Sequence, residues 1–194
     1  DAGQSCNAAK RIIVTQDIAE QFIPLFLAEC AKLQTGNPKD PNTTLAPLHR
    51  QDLRQNVHEQ VQDAVAHGAQ CLSGGYIPEG QSWFYPATVL DRVNPNCRVW
   101  HEEVFGPVAM ILRADNPEHA VALANDTPFG LGACIYTDDT ANAWKYAEKI
   151  QAGSVFINRH TSSDLRLPFG GVKASGYGRE LSEFGLYEFV NVKT

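Results

Sequence analysis

Hydrophobic positions along this chain follow two spacings that alternate from one end to the other. Short continuous runs of apolar, often β-branched residues are typical of buried strands, and they occupy residues 11–15, 69–72, 107–112, 132–137 and 153–158. Between these runs, apolar residues recur every three or four positions, as on one face of a helix, over residues 17–33, 49–66, 116–124 and 139–150. Strands that alternate with helices predict an α/β fold, an open, mostly parallel twisted sheet with helices on both faces.

Local signals mark three element boundaries. Asp17, with Glu20 three residues later, resembles a capping pair that opens the first helix. Asn116-Pro117 predicts another helix start, because proline suits the first helical position. Residues 188–194 alternate apolar and polar side chains, which predicts a closing strand. If that strand is an exposed edge, it invites pairing with another chain.

Composition narrows the class of protein and its partners. The 194 residues are 43% hydrophobic and 20% charged, which fits a globular domain with a real core. A formal net charge of -6 argues against a nucleic-acid surface, which needs concentrated positive charge. No apolar run approaches the roughly 20 residues that span a bilayer. We therefore expect neither nucleic acid nor a membrane as a partner.

The five cysteines are scattered and show neither a CxxC motif nor Cys/His ligand spacing. We therefore expect no disulfide framework and no metal site. Free thiols favour a reducing, cytoplasmic location.

Cys6 is the most reactive-looking of these cysteines. It lies between small and amide-bearing residues, one turn ahead of Lys10, and residues 7–10 are good helix formers. We therefore expect its sulfur where a loop becomes a helix, because unpaired N–H groups and the helix dipole favour a thiolate there. The alternative is that Cys6 is a small buried hydrophobic residue.

A long glycine-rich segment, residues 159–178, follows the last buried strand. Loops beyond the carboxyl ends of strands are where α/β folds place ligand sites. The GxGxxG spacing of a dinucleotide fingerprint is absent. A phosphate-cradling loop and a plain flexible connection remain alternatives.

Four separated stretches together resemble the catalytic domain of the NAD(P)-dependent aldehyde dehydrogenases. They are Gly3-Gln4-Ser5-Cys6, Glu102-Glu103-Val104-Phe105-Gly106-Pro107, residues 125–131 and residues 168–180. Their order and spacing match that family over essentially all 194 residues. Residues 7–11 and 163–166 are similar to bacterial succinate-semialdehyde dehydrogenases in particular. The resemblance implies the catalytic-domain fold of that family and oxidation of an aldehyde with NAD or NADP.

The resemblance also implies roles for individual residues. Cys6 matches the nucleophile, Glu103 the glutamate that binds the nicotinamide ribose, and Phe105 the aromatic residue beside the nicotinamide. Asn158 and Phe169 match positions at the substrate end of the pocket. From the local sequence alone, Glu103 could equally lie in a solvated turn, Asn158 at a strand terminus, and Phe169 in the core.

Arg166 suggests how a succinic semialdehyde carboxylate would be bound. An arginine offers a planar fork that grips a carboxylate at two points, and Ser162 or Ser163 could add a hydroxyl donor. We expect this loop to face Cys6. The alternative is that Arg166 pairs with Asp164 or with a neighbouring chain.

By the same resemblance, residues 1–194 are the catalytic domain of a longer, homo-oligomeric enzyme. The dinucleotide-binding domain, the general base, the side-chain half of the oxyanion hole and the end of the oligomerisation strand are expected outside this chain. We therefore predict that the isolated chain folds but does not turn over. The rival functions are a CoA-acylating semialdehyde dehydrogenase and a cysteine hydrolase or esterase, which would need a histidine base beside Cys6.

Overall fold

The computed structural model describes residues 1–80 and 82–194. They form two compact units, Asp1–Ala120 and Val121–Thr194. The elements up to residue 114 are β1 (Arg11–Thr15), α1 (Gln16–Cys30), α2 (Gln51–Ala66), β2 (Gln70–Ser73), β3 (Thr88–Asp91), α3 (Arg98–His101) and β4 (Val108–Ala114). They are followed by α4 (Pro117–Asn125), β5 (Phe129–Gly130), β6 (Gly132–Ile135), α5 (Thr140–Ala147), β7 (Ser154–Ile157), β8 (Val172–Lys173) and α6 (Ser182–Tyr187).

The first unit is built on a four-stranded sheet in the order β1-β4-β3-β2. β1 and β3 both run parallel to β4, and β2 is an antiparallel edge strand. α1 packs on this sheet through one apolar cluster, because its helical spacing brings apolar side chains to one face. The buried members of the cluster are Val14, Ala19, Ile23, Val89 and Ile111.

Arg113 of β4 ties α1 to the sheet through two ion pairs, one of them buried. Asp91, at the end of β3, is buried, and Arg113 of β4 donates to it from Nη2 at 2.8 Å. Arg113 Nη1 donates to Glu20 of α1 at 2.5 Å. The predicted capping pair of Asp17 and Glu20 is therefore wrong: α1 begins at Gln16 without a side-chain cap, since Glu20 is used by Arg113.

The second unit contains two separate strand pairs. β6 runs parallel to β7, and β5 pairs antiparallel with β8. Asp139 caps α5, because its side chain accepts a hydrogen bond from the Asn142 N–H at 3.1 Å. Parallel pairs that alternate with helices in both units confirm the predicted α/β class with a mostly parallel sheet.

The end of the chain differs from its prediction. The alternating residues 188–194 form no strand, and a helix that the pattern did not predict, α6, precedes them. Alternation produces a strand only where a partner sheet covers one face. Here the side chains of Phe189 and Val192 are 89% and 83% exposed.

No helix within residues 1–80 and 82–194 combines the length and the apolar character that crossing a membrane requires.

Candidate active site

Cys6 is exposed, on an irregular segment that leads directly into β1. The predicted helix over residues 7–10 is wrong: a single turn is closed by the Ala8 N–H and the Ser5 carbonyl at 3.1 Å. The next residues are extended because β1 pairs with β4. The sulfur is therefore accessible, but the groups around it come from loops and not from a helix terminus.

Gly3 brings the Cys6 loop into direct contact with the second motif of the family. Its φ is +70°, and a Cβ at this position would lie 2.1 Å from the Gly106 carbonyl oxygen. Only glycine fits such a close approach of two backbones. The loop that carries Cys6 therefore rests on the turn that follows Glu103 and Phe105.

Gln4 fixes the same loop to the segment that enters α2. Its side-chain N–H groups lie 3.0 Å from the Asp1 carbonyl and 3.4 Å from the Pro47 carbonyl. Its Oε1 accepts from the His49 N–H at 2.9 Å. Gln4 thus holds the backbone of the nucleophile motif in place, a role that the sequence did not indicate.

Lys10 connects the two motifs from the other side. Its Nζ donates to the Gly3 carbonyl and lies 5.4 Å from the centre of the Phe105 ring. Burial lowers the pKa of Lys10, while the negative charges of Glu103 and of ionised Cys6 act in the opposite direction. The local sequence gave no signal for these contacts, because Phe105 is nearly a hundred residues away.

Glu102 and Glu103 have different surroundings although they are adjacent. Arg98 donates to Glu102 from Nε and Nη2, both at 3.0 Å, and buried Gln60 donates to it at 2.8 Å. The hydrogen bond from Arg98, with a smaller contribution from Gln60, lowers the pKa of Glu102. The Glu103 side chain is exposed, and Gln60 contacts only its carbonyl, at 3.3 Å.

Gln60 itself could have been found from the sequence pattern. It lies one residue before Val61 on the buried face of α2, a polar side chain at an apolar position. Its Nε2 donates to Glu102 and Glu103, while its Oε1 has no hydrogen-bond partner within the described part of the chain. A buried amide used in this way anchors the Glu102-Glu103 pair to α2.

Glu103 and Phe105 suit the nicotinamide end of a dinucleotide. An exposed carboxylate accepts hydrogen bonds from ribose hydroxyls, and a half-buried aromatic ring gives a flat apolar surface for a planar base. The residues present therefore fit NAD or NADP.

In the second unit, Asn158 holds two strand ends together. Its φ is +53°. Its Oδ1 accepts from the Thr137 N–H, and its Nδ2 donates to the Thr137 carbonyl, both at 2.8 Å. The amide is therefore engaged within its own unit, after β7.

Three predicted substrate residues, Ser162, Ser163 and Phe169, line one small cavity of about 50 Å³. The complete lining consists of Ser154, Phe156, Ser162, Ser163, Asp164, Leu167, Pro168 and Phe169. Asn158 and Arg166 do not line it.

Arg166 pairs with Asp164, as the alternative interpretation expected. Its Nε and Nη2 donate to the two carboxylate oxygens at 3.0 and 2.7 Å, and its side chain is 86% exposed. The guanidinium holds the pKa of Asp164 well below its usual range. Binding of a substrate carboxylate by Arg166 stays a prediction.

The glycine-rich segment packs against residues 125–131, the third stretch of the family resemblance. It is therefore not a plain flexible connection. β8 pairs with β5, and Lys173 donates to the carbonyls of Asn125 and Thr127 at 2.7 and 3.1 Å. A Cβ on Gly153 would lie 1.7 Å from the Gly170 carbonyl oxygen. These contacts hold residues 125–131 and the glycine-rich segment together within the second unit.

The hydrolase alternative needs a histidine that can take a proton from Cys6. No histidine side chain within residues 1–80 and 82–194 is hydrogen-bonded to the Cys6 sulfur, and His101 Nε2 contacts the Pro95 carbonyl at 2.8 Å. The structure therefore gives this alternative no support.

Comparison with known proteins agrees with the sequence motifs. The profile of the aldehyde dehydrogenase family matches residues 1–194. The NAD(P)+ succinate semialdehyde dehydrogenase Sad of Escherichia coli strain K12 is 48% identical over 194 residues, which are 100% of this chain and 42% of that protein. The NADP(+) succinate-semialdehyde dehydrogenase 1 of Mycobacterium tuberculosis strain H37Rv is 48% identical over 192 residues, 99% of this chain and 42% of that protein. The chain thus spans about two fifths of the length of these curated relatives.

Solved structures give the same result. The succinic semialdehyde dehydrogenase from Streptococcus pyogenes, in complex with NADP+, is 38% identical with a TM-score of 0.95, covering 98% of this chain and 42% of that one. The betaine aldehyde dehydrogenase from Staphylococcus aureus, in complex with NAD+, is 33% identical with a TM-score of 0.93, covering 97% of this chain and 38% of that one. The family resemblance predicted from four motifs is therefore confirmed, and the chain belongs to the aldehyde dehydrogenase family.

Proposed function

We propose that this chain is the catalytic domain of an enzyme that oxidises succinic semialdehyde to the carboxylic acid with NAD or NADP. The observation that carries the proposal is an exposed Cys6 on a loop packed against the Glu103–Phe105 segment. The substrate is supported by 48% identity to relatives that are named succinate-semialdehyde dehydrogenases.

In the proposed reaction the Cys6 thiolate adds to the aldehyde carbon. A C–S bond forms, and the carbonyl electron pair moves to oxygen, giving a thiohemiacetal oxyanion to which the Cys6 backbone N–H donates. NAD or NADP, when bound, supplies the hydride acceptor. Oxidation of the carbon leaves a thioester on Cys6, and attack by water then breaks the C–S bond and releases the acid. By the family resemblance, the general base for this water is expected outside this chain.

The remaining side chains bind and orient the nucleotide and the substrate. Glu103 accepts hydrogen bonds from the nicotinamide ribose, and the Phe105 ring limits where the nicotinamide can lie. Asn158 and Phe169 are proposed to contact the substrate. These four roles follow from the family motif that each residue matches.

Arg166 is proposed to bind the substrate carboxylate, with Ser162 or Ser163 as an additional donor. A guanidinium has five N–H donors, and two of its nitrogens are used by Asp164. The remaining donors are available to a second carboxylate, and 86% exposure leaves the side chain room to approach one.

We also propose that the full-length enzyme is a cytoplasmic homo-oligomer. The support is a group of exposed apolar side chains near the end of the second unit, which favour burial against another chain. They are Phe184, Leu186, Phe189, Val190 and Val192. Light scattering of the full-length protein measures the assembly.

The test of the activity uses the full-length protein with succinic semialdehyde and either nucleotide, with and without CoA. Nucleotide reduction that is independent of CoA is expected, and Cys6→Ser should reduce kcat by at least about 10⁴-fold, since the nucleophile is lost. A strict requirement for CoA would favour the acylating alternative. Undiminished turnover by Cys6→Ser would overturn the role of Cys6.

A further inference from the structure

Lys10 lies where the contacts of the Cys6 loop converge. Its backbone is fixed by the sheet, because its carbonyl accepts from the Met110 N–H of β4 at 3.0 Å. Its ammonium group donates to the Gly3 carbonyl and lies 5.4 Å from the centre of the Phe105 ring, a distance typical of a cation–π contact. One side chain therefore joins the nucleophile motif to the nicotinamide-facing motif.

The charge of this lysine also interacts electrostatically with two functional groups, Glu103 and Cys6. Lys10 is half-buried, and burial of an ammonium group is costly unless other groups compensate for the lost water. Its direct contacts are the Gly3 carbonyl and the Phe105 ring, and the negative charges of Glu103 and of ionised Cys6 act against the lowering of its pKa by burial. All four belong to the two motifs that carry the proposed chemistry.

We propose that Lys10 is a positioning residue that ties the Cys6 loop to the Phe105 segment and places a positive charge beside the Cys6 sulfur. The inference rests on the proposed role of Cys6 as the nucleophile. A cation at this place counters the negative charge of the attacking thiolate and of the oxyanion that it forms. Removing the charge should therefore change the electrostatics at Cys6 even where the loop keeps its shape.

Two alkylating reagents, iodoacetate and iodoacetamide, measure this charge because they share one chemistry and differ in charge. Their rates at Cys6 are followed by peptide mapping of the full-length protein without nucleotide or aldehyde. The ratio of the two rates cancels changes in thiol reactivity and exposure. Lys10→Gln keeps a donor for the Gly3 carbonyl and removes the charge, so we expect the iodoacetate-to-iodoacetamide ratio to fall at least about threefold.

Two control variants separate charge from structure. Lys10→Arg keeps the charge and should keep the ratio, and Lys39→Met, at an exposed lysine, should behave as the wild type. An unchanged ratio in Lys10→Gln, or an equal fall in Lys39→Met, would overturn the proposal. If Lys10→Gln does not fold, Lys10→Met repeats the measurement with a flexible side chain that still packs on Phe105.

The readout is independent of turnover. A full-length protein that oxidises no aldehyde would refute the proposed function, whereas the alkylation ratio would still report the charge beside Cys6. Conversely, an active enzyme with an unchanged ratio in Lys10→Gln would refute only the role of Lys10.

Discussion

Gly3 is the residue on which the geometry of the Cys6 loop depends most directly. Its positive φ and the close approach of the Gly106 carbonyl are two separate constraints. A side chain at this position would strain the backbone and also push the loop away from the segment that carries Phe105. The nucleophile would then move relative to the groups proposed to hold the nicotinamide.

We predict that Gly3→Ala removes most of the activity of the full-length enzyme. Strain at positive φ costs about 1–2 kcal/mol, and the 2.1 Å contact forces the loop to move in addition. Gly68→Ala is the matched control, since Gly68 has a φ of +96° but a Cβ there meets no atom within 4 Å. It should lower the free energy of unfolding and leave kcat unchanged. Equal kcat values for the two variants would contradict the prediction.

The guanidinium of Arg166 already has a carboxylate partner in Asp164. The question is whether it also binds the carboxylate of the substrate. We predict that Arg166→Leu raises KM for succinic semialdehyde about tenfold or more, the loss of one charge-assisted pair, with little change for butanal, which lacks a carboxylate. Arg50→Leu is the control, because Arg50 forms the same kind of exposed pair with Asp52. Equal changes of KM for both aldehydes would leave Arg166 with a structural role only.

At the scale of elements, α2 supports the proposed nucleotide contact through one buried amide. Gln60 is 1% exposed, and both of its hydrogen bonds go to the Glu102-Glu103 pair. We predict that Gln60→Leu raises KM for the nucleotide severalfold. The reason is that Glu103 loses the contact that holds its backbone.

A double-mutant cycle tests whether Gln60 acts through Glu103. In a Glu103→Gln background, Gln60→Leu should have little further effect on nucleotide affinity, since coupled residues are not additive. Gln62→Leu, at an exposed glutamine of the same helix, serves as the control. Fully additive effects would show that Gln60 supports stability alone.

Helices and strands were predicted correctly where the segment with the matching hydrophobic pattern also packs against another element of the fold. The apolar runs near 11–15 and 107–112 became the adjacent parallel strands β1 and β4, and the spacing over 49–66 became α2. It failed over residues 7–10 and 188–194, where helical or strand-like spacing exists but the required packing does not. The short helices α3 and α6 were missed because four to six residues carry too little periodicity to be recognised.

Only the site residues that belong to a family motif could be predicted from the sequence. Cys6, Glu103 and Phe105 were found by family resemblance, and their exposure or half-burial suits the expected roles. The partners of the supporting residues were not predicted, because Lys10 and Gln60 contact residues 40 to nearly 100 positions away. Such contacts follow from strand order and helix packing, which local spacing does not specify.

At the scale of the whole molecule, the environments of the five cysteines set an order of reactivity. Cys97 is buried, and Cys134 is half-buried with its sulfur 3.3 Å from the Thr161 hydroxyl. Desolvation raises the pKa of both Cys30 and Cys71. Since the thiolate is the reactive form, these four thiols should react slowly near neutral pH.

We therefore predict that limiting iodoacetamide near neutral pH modifies exposed Cys6 before the other cysteines in the full-length protein. Peptide mapping over time measures the order, and Cys6→Ser is the control that should lose the fast phase. Modification of Cys71 at the same rate as Cys6 would contradict the prediction, because desolvation raises the pKa of the Cys71 thiol although that residue is also exposed.

The residues that hold the Cys6 loop lie far from it along the sequence, and this separation has a consequence for biosynthesis. Its loop is held by Pro47, His49 and Gly106, all of which leave the ribosome after Cys6. At about 5–20 residues per second, the last of them follows roughly 5 to 20 s later. During that interval the nascent thiol lacks the backbone supports that define the site, so a competent nucleophile arises only after the strands of the first unit have paired.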